Sequence, residues 1–136
     1  MFFSSALDYG LILLVALRER YLSAGKNHFV NLKTISKENN LPHSYIERLA
    51  QKLAKAGLIS AKKGKNGGYA LAKRPSKISV LEVLGAVEKQ NLTYCAYLKQ
   101  RKIICRVGNC CPTKAGLAKM EQKITRVLKN ATLDKI

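Results

Sequence analysis

Residues 41–73 read LPHSYIERLAQKLAKAGLISAKKGKNGGYALAK, and the order of signals in this stretch decides the fold. Pro42 suits the first position of a helix, where its missing N–H costs nothing; Ile46, Leu49, Leu53 and Ala54 then recur as a buried stripe until Gly57 ends the run. Leu58–Ala61 reads as a strand, Lys62–Gly68 as a Lys/Gly-rich turn and Tyr69–Ala72 as a returning strand. Just upstream, Leu32–Glu38 reads as a short helix capped by Asn31, with Leu32 and Ile35 facing inward and Asn39 and Asn40 closing it. Two short helices joined by the tight turn Asn39–Leu41 form a helix-turn-helix pattern, and a β-hairpin directly behind it makes a winged helix.

Working outward, Leu7, Leu11, Leu14, Val15, Leu17 and Leu22 predict a largely buried first helix over Ser5–Leu22, started by Ser4 or Ser5. Ile78, Leu81, Leu84 and Val87 predict another over Ile78–Glu88, with Ser79 and Glu82 as a capping pair. The segment Lys89–Asn109 has no sustained period, and its middle reads as a loop. From Thr113 to Leu133, Leu117, Met120, Ile124, Val127 and Leu128 form an apolar stripe on a Lys-rich helix. That helix needs a partner, either the first helix or a second subunit, and a two-fold protein reads a two-fold site with doubled contacts. The predicted fold is mainly α with a small β-hairpin wing: a winged helix-turn-helix domain over 1–88, a cysteine-containing loop over 89–112 and a dimerisation helix over 113–136.

A chain of 136 residues, 47% of them hydrophobic, supports one core and an appendage. Its net charge of +17, from 25 Lys and Arg against 8 acids, exceeds what a solvated surface needs and points to a polyanion. Nucleic acid fits through counterion release, and an anionic membrane surface competes. Ala6–Leu17 resembles a signal-peptide core, but no Lys or Arg precedes it, Asp8 interrupts it and no small-residue cleavage site follows. No apolar run approaches the roughly 20 residues of a membrane span, so a soluble, cytoplasmic chain with no membrane partner is expected.

Lys62, Lys63 and Lys65 at the hairpin tip, beside Gly64, Gly67 and Gly68, suit contact with phosphates or the minor groove; a merely solvated hairpin is the plainer reading. No phosphate loop or paired-carboxylate motif occurs and no His lies near the cysteines in sequence, which argues against an enzyme. A purely structural or membrane-surface protein would explain the charge but not the wing.

All four cysteines lie between Cys95 and Cys111, a local cluster of the kind that holds an iron–sulfur cluster or zinc rather than a disulfide framework. Nine residues separate Cys95 from Cys105 and five separate Cys105 from Cys111, with Cys110 adjacent to the last. Zinc ranks lower because CxxC spacing is missing. A thiol sensor is the other reading, with Arg106 and Lys114 as basic neighbours that favour thiolate. Asp8, an acid amid apolar residues, is costly unless paired, which favours a role for it; a helix-N-terminal acid is the structural alternative.

The stretch 41–73, the following ISVLEVLGAVE at 78–88 and the clustered cysteines before a terminal helix together resemble the Rrf-type family of winged-helix transcriptional regulators, of the IscR, NsrR and CymR kinds. The resemblance covers nearly the whole chain. It implies a homodimer on double-stranded DNA with a pseudo-palindromic operator, the recognition helix in the major groove and the wing in or near the minor groove. Carried over by position, it implies DNA contacts from Ser44, Tyr45 and Arg48 and from Lys63, where many relatives have Arg, with Lys62 and Lys65 beside it. Arg48 is the expected base reader, because its fork matches guanine O6 and N7. Tyr45 reads equally as a packing residue, Lys52 and Lys55 as phosphate contacts or solvated charge, and His43 and His28 as surface residues.

Cluster-binding relatives commonly leave five residues between their second and third cysteines, as between Cys105 and Cys111, whereas the gap after Cys95 is longer than usual. Lys114 stands where some relatives carry a ligating His. Others use an acid near the start of the first helix, donated by the partner subunit, and Asp8 occupies that position. The resemblance therefore implies an iron–sulfur cluster, 2Fe–2S or 4Fe–4S, on Cys95, Cys105, Cys111 and Asp8, with Cys110 as alternative ligand. The implied function is a repressor governed by redox state, nitric oxide or iron–sulfur status; a cluster-free thiol regulator, or a CymR-like one with no metal, is the alternative.

Overall fold

A computed structural model of the chain describes residues 4–88, 98–99 and 101–136, apart from the side chain of Asn109; Cys95 and the start of the expected cysteine loop lie outside them. Helix α1 (Ser5–Ala24) begins where the Ser4 hydroxyl accepts from the Ala6 amide at 3.1 Å, and it buries Leu7, Gly10, Leu13, Leu14 and Leu17. Leu22, expected on the buried stripe, is instead 68% exposed. Its five-residue step from Leu17 turns about 140° around the helix, whereas Tyr21, four residues on, stays on the core side.

The helix-turn-helix follows the sequence closely. Helix α2 (Leu32–Glu38) starts on the Asn31 side chain, which accepts from the Lys33 amide at 2.8 Å, and Asn40 turns the chain with a φ of 52°. Helix α3 (His43–Lys55) starts one residue later than expected, with Pro42 outside it in an extended conformation; the Pro42 carbonyl accepts the Tyr45 and Ile46 amides. At its end the Leu58 amide reaches the Leu53 carbonyl and the Gly57 amide the Ala54 carbonyl, with Gly57 at a φ of 71°. This is a Schellman closure, with buried Leu58 packing over the last turn.

Strands β1 (Ile59–Lys62) and β2 (Gly68–Leu71) pair antiparallel, Ile59 opposite Leu71 and Lys62 opposite Gly68. Each therefore lies one residue from its expected bounds, β1 running later and β2 starting earlier. Val30 adds a single bridge to the other edge of β2, exchanging hydrogen bonds of 2.9 and 2.8 Å with Tyr69. Gly68 makes this approach possible: a Cβ there would lie 2.2 Å from the Val30 carbonyl oxygen, and its φ is 145°.

Helix α4 (Val80–Val87) opens with the expected capping box. Ser79 Oγ accepts from the Glu82 amide, and Glu82 Oε2 accepts from the Ser79 amide. The last helix, α5 (Lys114–Asn130), stops three residues short of the expected Leu133. The chain then runs extended beside the start of α4: the Val80 amide donates to the Ala131 carbonyl and the Leu133 amide to the Ile78 carbonyl, both at 2.8 Å. Leu133 is 1% exposed, and its carbonyl accepts Arg18 Nη1 at 2.7 Å. Leu128 is buried and Ile124 packs on the core, whereas Met120 (44%) and Val127 (67%) face outward from the predicted stripe.

Burying one such leucine contributes about 1.5–3 kcal/mol. The exposed Arg20–Glu38 ion pair at 2.9 Å contributes at most about 1 kcal/mol, so apolar contact and not surface charge fixes these helices. No helix among the described residues is long and apolar enough to cross a membrane.

Gly68→Ala is expected to lower unfolding free energy by more than about 2 kcal/mol, through both the close carbonyl and the positive φ. Gly25→Ala, where φ is 88° but nothing lies within 4 Å, is expected to cost about 1 kcal/mol. Urea unfolding followed by circular dichroism checks the difference, and equal losses would contradict the account of the wing.

Candidate nucleic-acid interface and cysteine segment

The α3 surface and the wing border one groove of about 300 Å³, lined by Asn31, Lys33, Glu47, Gln51, Gly64 and Tyr69 among others. Of the residues expected to touch DNA, Ser44 and Arg48 are exposed on α3, and Lys62, Lys63 and Lys65 are exposed in the wing. Lys62 Nζ lies 5.7 Å from the Phe29 ring centroid, which ties the base of the wing to the segment before α2.

Tyr45 is half-buried, so the packing alternative holds for at least part of its ring. Its ring meets that of Tyr9 from α1 edge to face, with centroids 5.5 Å apart and planes at 76°. The Arg48 guanidinium carbon sits 5.4 Å from the Tyr45 centroid. At an exposed position such a cation–π contact contributes about 0.5–1 kcal/mol, enough to bias a rotamer but not to bury the charge.

Two basic or titratable residues have structural partners that sequence alone did not assign. Lys52 Nζ donates to the Val87 carbonyl at 2.9 Å, capping the end of α4 instead of standing free as solvated charge. His43 is half-buried, with Nδ1 3.4 Å from Ser36 Oγ and Nε2 3.2 Å from Glu47 Oε1, so it braces the turn between the two helices. Glu47 and Gln51 were missed as candidate groove residues, although their four-residue spacing already places them together on one face of α3.

Cys105 and Cys111 are half-buried, Cys110 is exposed, and all three are free thiols. Cys111 lies just ahead of α5, separated from it by Pro112 and the N-cap Thr113. The Thr113 hydroxyl, 3.3 Å from its sulfur, is the main cause that holds its thiol below the ordinary range; the Thr113 and Lys114 amides and the Lys114 charge add to it against partial burial. Lys114 thus acts as expected, but Thr113 is the larger influence. The unsatisfied amides of a helix start favour an anion in the same way.

Asp8 corrects one expectation. It lies in the first turn of α1 and is exposed, so the cost of burying an acid does not arise and its position suits the helix dipole. Among the described residues, no three His, Cys, Asp or Glu side chains converge as a metal site. Cys95 lies outside them. The donor chemistry still fits a thiophilic group in part: free thiols within one short segment, one of them biased towards thiolate.

Comparison with known proteins adds three findings. The model of the Rrf2 family, described as iron-dependent transcriptional regulator, matches residues 3–136. The HTH-type transcriptional regulators IscR of Klebsiella pneumoniae and Escherichia coli are each 37% identical over 108 residues, which is 79% of this chain and 64% of theirs. The chain thus spans just under two thirds of these relatives. Among solved structures, the global cysteine regulator CymR of B. subtilis superposes with a TM-score of 0.75 at 22% identity (98% of this chain, 93% of that one), a likeness of fold. IscR of T. potens gives 0.70 at 26% (98% and 83%).

In reduced, metal-free protein, alkylation of Cys111 by iodoacetamide is expected to persist to lower pH than that of free cysteine, because the thiolate is the nucleophile and its pKa is lowered. Thr113→Val is expected to shift the profile back upward. Mass spectrometry resolves the site, and an unchanged profile in the variant would contradict the role given to Thr113.

Proposed function

The chain belongs to the Rrf2 family of transcriptional regulators, and from that membership we propose that it is a repressor binding a pseudo-palindromic operator in double-stranded DNA as a homodimer. The observation that carries this reading is the shared groove of α3 and wing, kept together by the Val30–Tyr69 bridge beneath an exposed basic rim. In this reading residues 1–88 contact DNA, 89–112 sense a signal and 113–136 dimerise. Ser44, Tyr45 and Arg48 enter the major groove, with Arg48 reading a base edge. Lys62, Lys63 and Lys65 contact phosphates or the adjacent minor groove. The outward Met120 and Val127 of α5 are the apolar surface that a second copy covers.

The regulated state rests on the cysteine segment. Cys95, Cys105 and Cys111 would hold an iron–sulfur cluster, with Asp8 of a second copy as fourth ligand and Cys110 as the alternative thiolate. Such a group supplies sensitivity to oxidants, nitric oxide or iron–sulfur supply. What this chain supplies is the Thr113 and Lys114 environment that favours a deprotonated Cys111, and α5 beyond it, anchored to the domain through Leu133. A cluster-free thiol switch is the second reading, favoured by the same activated Cys111 with Cys110 beside it.

Two experiments test these readings. On an operator selected from random DNA, Arg48→Ala is expected to cost about 1–3 kcal/mol of binding and to relax base preference. Lys63→Ala is expected to weaken operator and random duplex alike and to reduce the salt slope by about 1. Fluorescence anisotropy against salt separates them, and a wild type without sequence preference would overturn the regulator reading. Anaerobic purification with iron, sulfide and visible absorption analysis is expected to find both elements. Zinc without sulfide would overturn the cluster, and disulfides formed on peroxide treatment of a metal-free chain would favour the thiol switch.

A further inference from the structure

We propose that Tyr9 is a positioning residue for sequence readout: its ring holds Tyr45, Tyr45 holds the Arg48 guanidinium, and the three present Arg48 to a base edge as one unit. The inference rests on the reading of α3 as the recognition helix. Arg48 is exposed, and among the described residues no carboxylate lies within ion-pair range of it. The Tyr45 ring 5.4 Å below its guanidinium is therefore the contact that biases its conformation. A guanidinium held over a ring by cation–π attraction is restrained while its outer N–H groups stay open to a planar acceptor such as guanine.

Tyr45 alone would be a poor support, because it shares a helix with Arg48 and is only half-buried. The Tyr9 edge, 5.5 Å away at 76°, fixes that ring from a different helix. Its own position is well determined: the next residue, Gly10, is buried against α4, where a Cβ would lie 3.2 Å from Val87 Cγ1. Tyr9 thus links a helix held by the core to the side chain that reads DNA. Both rings flank the core rather than fill it: Leu7, Leu13, Ile46 and Leu49 are buried, while the two tyrosines pack against that cluster and stay partly exposed. Preorganising Arg48 removes a conformational cost that a free, rotamer-rich side chain meets on binding.

The test compares Tyr9→Leu, Tyr9→Phe, Arg48→Ala and the Tyr9→Leu/Arg48→Ala double variant on the selected operator and on random duplex, with thermal unfolding in parallel. Tyr9→Leu is expected to weaken operator binding about two- to fivefold by freeing Arg48, the range set by the exposed cation–π contact it supports, while random-duplex affinity, set by phosphate contacts, stays unchanged. Tyr9→Phe, which keeps the aromatic edge, is expected to match wild type. Adding Tyr9→Leu to Arg48→Ala is expected to change nothing further, the mark of coupled residues. Equal losses on both duplexes, or full additivity with Arg48→Ala, would overturn the positioning role. If Tyr9→Leu does not fold, Tyr9→Met, which fills similar space without a ring, carries the same expectations. A selective wild type whose preference survives the substitution overturns this inference alone; a wild type with no preference overturns it together with the recognition-helix reading.

Discussion

The two hydrogen bonds between Val30 and Tyr69 fix the relation on which the rest of the molecule depends, because they bind the wing to the segment that leads into α2. Without them the base of the hairpin would still be held by buried Ile59, Ala70 and Leu71, but β2 would lose its second edge and the Lys/Gly-rich end its tie to the segment before α2. With them, β2 is held on both edges and the wing takes a set position beside α3. The requirement reaches back to the sequence: any side chain at position 68 would strike the Val30 carbonyl, and one at position 67 would lie 2.1 Å from the Lys62 carbonyl. Paired glycines before Tyr69 are thus a packing necessity as well as a turn signal.

The same economy holds at the other end of the domain. After α5 the backbone bonds back onto the start of α4, Leu133 enters the core, and Arg18 of α1 closes over the Leu133 carbonyl. The terminal helix is therefore anchored at its C-terminal end, while its N-terminal end carries Cys111 and Thr113. Lys52 adds a direct tie between α3 and the end of α4, the point at which the chain departs towards the cysteines. In the proposed regulator, a change of ligation or oxidation state near Cys111 would act on a helix whose far end is joined to the core.

How much of this was legible depended on the range of the forces involved. Gly57, the Ser79–Glu82 box and the Asn31 cap act within a few residues, so sequence placed them correctly. Leu22 was misread, and Asp8 was wrongly expected to lie amid apolar surroundings, because a helix face is decided by angular phase. Leu22 falls off the stripe by its five-residue step, and Asp8 sits one position from buried Leu7 yet faces water. The Lys52–Val87 and Tyr9–Tyr45 contacts join distant segments and were invisible to any local pattern. Ligand identities in the cysteine segment came from family resemblance alone, since spacing by itself left zinc, cluster and disulfide chemistry open.

In the proposed complex, α3 and the wing form one surface that reads DNA in two-fold symmetry. Hydroxyl-radical footprinting on a selected operator tests it most directly. The account predicts two symmetry-related protected segments with centres one helical turn, about 10 base pairs, or a multiple of it apart, each extending into the flanking minor groove where the wing lies. Uniform protection without register, or a single asymmetric footprint lacking the flanking minor-groove protection, would contradict it.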